Sequence, residues 1–486
     1  MTGSLGGRAL NGVGATLLWQ GIRIGLLGLS IVILARLLAP ADYGLLAMVT
    51  AVIGVGELLR DLGLSVAAVQ AKKLESAEKT NLFWANTAAG LILATIVFFS
   101  SWGLAALYNE PRLVQITQVL ATTFLVNGVA SQFKAQINRD LRFMTLGLSE
   151  ALPQALGLAL AILVAASGGG YWALVVQALS VSISALALDV FFARWFPGLP
   201  RFHTSISRFL RFGGALAGTQ GLAYVAKNID NVMLGIFYGA GSLGHYSRAY
   251  QLIVLPLNQL TAPLSRVAIP ILSRVQDDRV QFLRFLRSGQ FFTVALASIF
   301  YSSMVGLASP LVQVILGEKW MPVVPILQAL AVSGIFRAMG QVPYWIFVSL
   351  GLTGKQFTIY LISQPVVVLA ILIGVPWGGL GVAIGSSIGY LLFWFIQMWW
   401  AGRSSPVSTG PLILSGLGIV AVLGVPAACA GLLITALVPG AIAALVVASV
   451  LVALYTAVIV ASVPAYRAQI AIIRMILARR RGGSAS

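Results

Sequence analysis

Several charged side chains lie deep inside long apolar segments, where few kinds of chemistry can account for them. Arg23 and Arg337 have no residue of opposite charge one helical turn away in their own segments, whereas Lys227 can pair with Asp230. A charge at the centre of a membrane costs about 2.5–3.5 kcal/mol or more, so such residues usually face protein or a water-filled cavity. Arg23, Lys227 and Arg337 therefore indicate an anionic ligand, and phosphate is an anion that basic side chains hold strongly.

A second group of charges falls in one apolar segment near residue 60. Glu57 lies three residues before Arg60 and four before Asp61, so in a helix it shares a face with each of these residues. Glu57, Asp61 and Asp230 are candidates for binding and releasing a proton or a cation. For Glu57, Arg60 and Asp61, a structural cluster at the membrane interface is the alternative interpretation.

The eighth apolar segment is unusually polar, and it holds Arg248 near one end. Arg60 and Arg248 are further candidates for contact with the anion, although Arg248 also suits an anchor at the membrane interface. The second and eighth segments occupy matching places in two halves of the chain, and a shared aqueous cavity needs such a pair of polar spans. The other polar residues of the eighth segment are Gln251, Asn258, Gln259, Thr261 and Arg266.

Metal and cofactor chemistry is not indicated. The sequence has one cysteine, Cys429, and two distant histidines, His203 and His245, so we expect no disulfide within the chain and no metal site of His and Cys ligands. The net charge of +18 is spread among apolar segments. This dispersal makes nucleic acid a poor candidate for a partner, and it favours a role for the charge in membrane topology.

The composition predicts an all-α integral membrane protein. Hydrophobic residues make up 59% of the 486 and charged residues only 9%, whereas a soluble domain carries about 25% charged residues. Because about 20 apolar residues span a bilayer as a helix, we predict fourteen spans, the first of them a retained helix rather than a cleaved signal. They are 13–37, 43–66, 81–107, 113–133, 149–167, 171–193, 212–238, 245–270, 288–316, 322–350, 356–374, 379–400, 411–437 and 441–463.

Lysine and arginine alternate strongly between successive loops. If the N-terminus is cytoplasmic, Arg112 and Lys319 are the two basic loop residues that fall outside, and the remainder fall inside, as in the loop after the fourth span with Lys134. Cytoplasmic loops retain lysine and arginine. The pattern therefore predicts that both termini are cytoplasmic.

A weak internal repeat appears when the sequence is shifted by 200 residues. Gly14-Ala15, Gln20-Gly21, Leu34 and Gly44 recur at 214–215, 220–221, 234 and 244. Parallel repeats of six helices are common in transporters, whose substrate site lies between the halves. The predicted divisions are a lobe at 1–195, a cytoplasmic linker at 196–211, a lobe at 212–400, two more helices within 401–463, and a basic tail at 464–486. The tail suits an amphipathic helix on the inner leaflet or an ordinary solvated segment.

Four stretches of the sequence resemble one family. The segment Ile33–Gly44, which reads ILARLLAPADYG, is similar to the first outer turn of Wzx-type polysaccharide flippases. The stretches Asp61–Ser65, Asn81–Asn86 and Leu141–Phe143 continue the likeness along the chain. The chain most resembles the subgroup that exports colanic-acid or other exopolysaccharide repeat units. This resemblance implies the multidrug/oligosaccharidyl-lipid/polysaccharide exporter superfamily, with two six-helix lobes in a V around a central cavity and two extra C-terminal helices.

The resemblance also implies an activity. We expect a multi-pass protein of the bacterial inner membrane that flips an undecaprenyl-diphosphate-linked oligosaccharide to the periplasmic leaflet, for exopolysaccharide, capsule or O-antigen synthesis. The diphosphate would lie near Arg23, Lys227 and Arg337, and Trp19 and Tyr224 are candidates for stacking on sugars, with packing as their alternative role. Membrane lipids, a polysaccharide polymerase and export machinery are the expected partners.

Two other functions compete with this hypothesis. A multidrug or cation antiporter of the same superfamily would need acidic residues to dominate its cavity, whereas the deep unpaired charges here are basic. A membrane glycosyltransferase or polymerase would need carboxylates clustered in a loop. The loop pair Asp277-Asp278 lies among arginines and is typical of a solvated turn. We therefore expect a transporter rather than an enzyme.

Overall fold

The computed structural model describes residues 3–60, 75–200 and 207–469, and every regular element in these ranges is a helix. In hydrocarbon a backbone must satisfy its own hydrogen bonds, which a helix does within one segment. The long helices are α1 Gly3–Leu37, α2 Pro40–Arg60, α3 Ser76–Tyr108, α4 Arg112–Arg139, α5 Phe143–Ala166, α6 Trp172–Ala193, α7 207–238, α8 240–274, α9 Arg279–Gly306, α10 Val323–Ser349, α11 Thr353–Gly374, α12 Gly378–Ser404, α13 Gly410–Leu437 and α14 Ala441–Ser462.

These helices confirm the predicted all-α membrane fold. Within the described ranges, eleven helical stretches are long and apolar enough to cross a membrane. Two of them each contain two of our helices, since Thr353–Ser404 is interrupted at Val375–Trp377 and Asn228–Arg274 at Gly239. The helix that begins at Pro40 is shorter in its described apolar part. Each predicted span thus overlaps one helix from α1 to α14, and the ninth span, 288–316, also includes a separate short helix, Ala308–Ile315.

Gly239 separates α7 from α8. Its φ of 71° and ψ of −176° interrupt an otherwise continuous helix from Ser207 to Arg274. Residues with a Cβ atom rarely adopt this backbone conformation, so glycine is required here. The sequence predicts the turn between the seventh and eighth spans at Gly239–Gly244, and the interruption lies at the first of these residues.

Several helices extend beyond their predicted ends. The fourth span was predicted to end at residue 133, but α4 continues to Arg139 because the intervening residues contain no glycine or proline. Similarly, α3 begins at Ser76, where the Glu75 and Glu78 side chains form a capping box with the backbone. These extra turns carry charged residues onto the helices.

The chain divides into two compact units, Met1–Gly244 and His245–Ser486. In the first unit, α3 and α4 approach closely at Gly90 and Gly128. A Cβ atom on Gly90 would lie 2.6 Å from the Phe124 carbonyl oxygen, and one on Gly128 would lie 2.8 Å from the Asn86 carbonyl oxygen. The predicted division at residues 196–211 stays a prediction, and residues 470–486 of the predicted tail lie outside the described residues.

One close contact in the first unit occurs twice, with its partners exchanged by the 200-residue shift. A Cβ atom on Gly44 would collide with the carbonyl oxygen of Ala240, and one on Gly244 would collide with that of Pro40. Positions 40 and 240, and 44 and 244, are equivalent in the sequence repeat. This reciprocal geometry is what two related helix starts produce when they pack against each other.

The second unit uses glycine in the same way. The α9 and α13 helices meet at Gly306 and Gly431, where a Cβ atom on either glycine would lie 2.7–2.8 Å from the other's Cα. Such small residues allow membrane helices to approach closely, where packing rather than the hydrophobic effect holds them together.

Candidate functional site

The first unit contains a polar cavity of about 290 Å³ among helices α1, α4, α5 and α6. We call it the first-unit cavity. Four charged side chains reach it from four different helices, two of them basic and two acidic. Its polar lining includes Arg23, Asn127, Lys134, Glu150, Gln154 and Asp189.

Glu150 connects the two basic residues of the first-unit cavity. Its Oε2 lies 3.2 Å from Nη1 of Arg23, and its Oε1 lies 2.7 Å from Nζ of Lys134. The Arg23 and Lys134 side chains are 50% and 48% exposed, and that of Glu150 is 31% exposed. One carboxylate therefore faces two cations, and the trio keeps a net positive charge.

The sequence identifies Arg23 as a cavity residue, and the structure places it in the first-unit cavity. Its acidic partner was missed because Glu150 lies 127 residues away on another helix. Lys134 was assigned to a loop, and this assignment is wrong because α4 continues past it. Its predicted cytoplasmic side stays a prediction. The position of Glu150, an acidic residue at the edge of a predicted apolar span, is the sequence feature that could have indicated its role.

Asp189 is the most deeply buried charged residue of the first-unit cavity. It is 2% exposed, and its Oδ1 atom has no hydrogen-bond partner in the described part of the chain. Ser149 of α5 lies beside the carboxylate. Phe192 lies on the same helix as Asp189, and its carbonyl oxygen accepts from Nη1 of Arg142 at 2.7 Å. This hydrogen bond joins the end of α6 to the start of α5.

In the second unit, tyrosines surround Arg337. Its Nη1 donates to the hydroxyl oxygen of Tyr250 at 3.1 Å, and its guanidinium lies 4.0 Å from the ring centre of Tyr390 and 5.0 Å from that of Tyr250. Its Nε is buried without a partner, and Arg337 forms no salt bridge with any residue that the structure describes. Cation–π contacts of about 0.5–2 kcal/mol each thus replace a carboxylate.

Arg248 bonds within its own helix. Its Nη1 donates to Oε1 of Gln251 at 2.7 Å, and the side chain is partly buried. Elsewhere on α8, the hydroxyl of Ser265 accepts from Nε1 of Trp345 at 2.9 Å and donates to Oε1 of Gln341 at 3.2 Å. Ser265 therefore joins α8 to α10 within the second unit.

The two candidate sugar-stacking residues pack closely against glycines. The Trp19 ring lies over Gly147 of α5, where a Cβ atom would collide with it. The Tyr224 ring covers Gly54 in the same way, and its hydroxyl donates to the carbonyl oxygen of Thr50 at 2.9 Å. These contacts agree with packing as the role of both residues.

The candidate proton or cation residues are only partly described. Asp230 is 2% exposed, and its Oδ1 accepts from the backbone nitrogen of Asn231 at 2.8 Å. Glu57 is partly buried and lies close enough to Tyr224 for its charge to act on the phenol. Asp61 and the side chains of Arg60 and Lys227 lie outside the described residues.

Asp278 has a structural role in the loop before α9. Its Oδ1 accepts from the backbone nitrogens of Val280 and Gln281, each at 3.0 Å, and so caps the helix. These hydrogen bonds lower the pKa of the Asp278 carboxyl, and the one from the Gln281 backbone has the largest effect. No group of three or more His, Cys, Asp or Glu residues suited to a metal ion occurs in the part of the chain that the structure describes.

Residues 33–325 match the model of a family described as "Polysaccharide biosynthesis protein". The chain belongs to this family. This family member is 27% identical to the "Lipopolysaccharide biosynthesis protein WzxC" of Escherichia coli (strain K12) over 389 residues, which cover 77% of this chain and 76% of that protein. The likeness extends across both units.

Solved structures share the fold of this family member. The "Lipid II flippase MurJ, inward closed conformation" has a TM-score of 0.69 at 12% identity and covers 93% of this chain and 99% of its own. An inward-facing multidrug resistance MATE family transporter of the MOP superfamily has a TM-score of 0.60 at 15% identity, covering 80% of this chain and 98% of its own. These likenesses establish a membrane-transporter fold, which agrees with the resemblance stated from the sequence.

Proposed function

We propose that this chain is a flippase that moves an undecaprenyl-diphosphate-linked oligosaccharide from the cytoplasmic to the periplasmic leaflet by alternating access. The product would enter exopolysaccharide, capsule or O-antigen synthesis. The observation that carries the proposal is the convergence of Arg23 and Lys134 inside a polar cavity of a polysaccharide-biosynthesis membrane protein. Two basic side chains in a polar cavity suit a diphosphate joined to a sugar.

The basic residues divide the work in this proposal. Arg23 of the first unit and Arg337 of the second bind the diphosphate at different stages of transport, and Lys227, Arg60 and Arg248 assist. A diphosphate would replace Glu150 as the anion that faces Arg23, because it offers more charge and more acceptor oxygens. The glycan occupies the polar space, and the lipid tail stays in the bilayer.

An inside-negative membrane potential would favour this direction of transport. Moving about two negative charges outward gains about 4–5 kcal/mol per 100 mV if no other charge moves. Coupling to a proton or a cation through Glu57, Asp61 or Asp230 is the alternative driving force. Imposed potentials and pH gradients across liposomes separate these two sources of energy.

Flipping by the purified protein in liposomes tests the proposed function. A membrane-impermeant glycan-modifying enzyme reports how much short-glycan undecaprenyl diphosphate reaches the outer leaflet. We expect Arg23→Gln to slow flipping about tenfold or more, because a hydrogen bond to a charged group contributes about 1.5–3 kcal/mol. The matched control is Arg279→Gln, whose side chain is exposed at the start of α9.

The control variant should flip at the wild-type rate. Full flipping by both Arg23→Gln and Arg337→Gln would remove the anion-site proposal. Flipping that responds to neither potential nor pH would remove both proposed driving forces.

A multidrug or cation antiporter is the second candidate, because the MATE transporter has the same fold and the first-unit cavity contains two carboxylates. Expression in a strain that lacks its own polysaccharide flippase, beside growth in a panel of toxic cations, separates the two functions. Restored polysaccharide supports the flippase, and toxin resistance without restored polysaccharide supports the antiporter.

The cellular setting is part of the same proposal. We place the chain in a bacterial inner membrane with both termini cytoplasmic, acting as a transporter rather than an enzyme. A polysaccharide polymerase and export machinery would use its product. Release of free undecaprenyl diphosphate during the flipping assay would instead indicate glycosyl-transfer chemistry.

A further inference from the structure

The first-unit cavity contains one carboxylate that the proposed binding of a diphosphate does not use. Asp189 is 2% exposed, lines the cavity, and has an oxygen atom without a hydrogen-bond partner among the described residues. Buried polar groups in proteins are nearly always hydrogen-bonded, so an unpartnered one requires an explanation. A buried carboxylate that lines a polar cavity can accept a proton.

The charged side chains near Asp189 come from the helices that pack around α6. Lys134 of α4 and Glu150 of α5 line the same cavity and act on Asp189 electrostatically, and Arg23 of α1 reaches Glu150. Arg142, before α5, binds the backbone at the end of α6. Asp42 of α2 contacts the opposite end of α6, near Gly170, and so lies away from the cavity.

The charge balance of this set depends on one proton. With Asp189 ionised, the cavity holds two cations and two carboxylates, and Lys134 is attracted by both carboxylates. With Asp189 protonated, Glu150 is the one anion left for Lys134 and Arg23. The cavity then carries a net positive charge, and Lys134 stays with Glu150 at the 2.7 Å separation seen in this structure.

We propose that Asp189 is a proton-binding site whose occupancy controls anion binding at Arg23, with Lys134 as the residue that couples the two. Protonation forms one O–H bond on Asp189, takes the proton from a hydronium ion, which becomes water, and removes one negative charge from the cavity. Lys134 then neutralises Glu150, and Arg23 becomes available to an incoming phosphate group. This inference deepens the proposed function, and its anion-coupling half rests on it.

Linkage requires the effect to be mutual. If a proton strengthens diphosphate binding by a given factor, the diphosphate strengthens proton binding by the same factor. Proton and diphosphate therefore each favour the presence of the other in the cavity. A proton that leaves outward with the diphosphate reduces the negative charge that the membrane potential moves, so Asp189 would control binding and would not supply the driving force that is proposed for Glu57, Asp61 or Asp230.

The proton site can be tested without any substrate. Infrared difference spectra of the purified protein in nanodiscs, recorded during a pH titration, report the carbonyl stretch of a protonated carboxylic acid. We expect such a band in the wild type and its loss in Asp189→Asn. The matched control is Asp278→Asn, which removes a carboxylate that caps α9 outside the cavity and should leave the band in place.

Binding measurements then test the coupling. Wild-type protein should bind undecaprenyl diphosphate about fivefold or more tightly at about pH 6 than at about pH 8, the lower end of typical coupling between sites. Asp189→Asn should bind with a pH-independent affinity near the wild-type value at low pH. Lys134→Met should keep the infrared band and lose the pH dependence of binding.

The outcomes separate the inference from the proposed function. A band of unchanged intensity in Asp189→Asn overturns the proton site, because the other carboxylates are intact in that variant. If Asp189→Asn does not fold, Asp189→Glu should keep both the band and the pH-dependent binding, and its failure to do so overturns the proposal. An Asp189-dependent band without any diphosphate binding in the wild type supports the proton site and overturns the proposed substrate.

Discussion

Glu150 sets the charge that the first-unit cavity presents to an anion. Its two oxygens each face a different cation, so it occupies the place that a phosphate group takes in our proposal. Such an internal anion keeps Arg23 and Lys134 compensated between transport events. The same carboxylate also competes with the substrate, and this competition can be measured.

Glu150→Gln should tighten the binding of undecaprenyl diphosphate by about tenfold, or ~1.4 kcal/mol, because it makes the cavity more positive by one charge. This change in binding free energy is smaller than the interaction energy of ~4 kcal/mol between two unit charges 4 Å apart near a protein surface. The measurement is an equilibrium titration in nanodiscs. Glu110→Gln is the control, since Glu110 pairs with Arg112 at the start of α4, away from the cavity.

Unchanged affinity in Glu150→Gln would show that the diphosphate does not approach Arg23 and Lys134. In the control pair, the hydrogen bond from Arg112 lowers the pKa of the Glu110 carboxyl. Glu110 thus stays ionised at neutral pH, and its replacement removes a full charge as well. The two variants differ in the place of the lost charge.

Individual residues of the site could be predicted where the sequence of a single segment is enough to identify them. Arg23 and Arg337 stand out because a basic residue in an apolar run has no local partner. Glu150 and Lys134 could not be assigned to Arg23, because helix packing brings them together from distant positions. Likewise, the tyrosines around Arg337 come from two other helices.

At the scale of helices, the reciprocal contact of Gly44 and Gly244 joins the equivalent starts of two helices. Each glycine lies against the carbonyl oxygen of the other segment, and neither position has room for a Cβ atom. Helices that meet at a glycine can approach until their backbones touch. We therefore expect that even the methyl group of an alanine at either glycine disrupts this contact.

Gly44→Ala should destabilise the protein by about 1–3 kcal/mol, because the new methyl group forces the backbones apart. Thermal unfolding in detergent measures the loss. Gly28→Ala is the control, since a Cβ atom there meets nothing within 4 Å. In a helix, that control should be neutral or slightly stabilising. Equal unfolding temperatures for the two variants would contradict the reciprocal contact.

The number and order of helices could be read from the sequence because a membrane span needs about 20 apolar residues. The ends of α4 and α9 could not, since polar residues with good helix propensity continue both helices beyond their apolar parts. This matters for the site, because Lys134 lies on one such extension. Hydropathy locates the apolar part of each helix, whereas Lys134 reaches the cavity from the polar extension of α4.

At the scale of the whole molecule, the net charge of +18 and the candidate transport site have different origins. Most lysines and arginines fall in loops predicted to be cytoplasmic, and basic residues in such loops set the orientation of a membrane protein. Arg23 and Arg337 lie within spans, where they do not contribute to that bias. The two sets can be separated by experiment, because topology depends on the first set and anion binding on the second.

Topology can be mapped in a Cys429→Ala background, since Cys429 is the sole cysteine of the sequence. We expect Lys319→Cys and Pro439→Cys to react with a membrane-impermeant thiol reagent in intact cells, because their loops are predicted to be periplasmic. Asp277→Cys and Lys355→Cys should react after the membrane is opened. All four positions are exposed, so access to the reagent depends on the side of the membrane. Labelling of all four in intact cells, or the reverse pattern, would overturn both the predicted orientation and the proposed direction of transport.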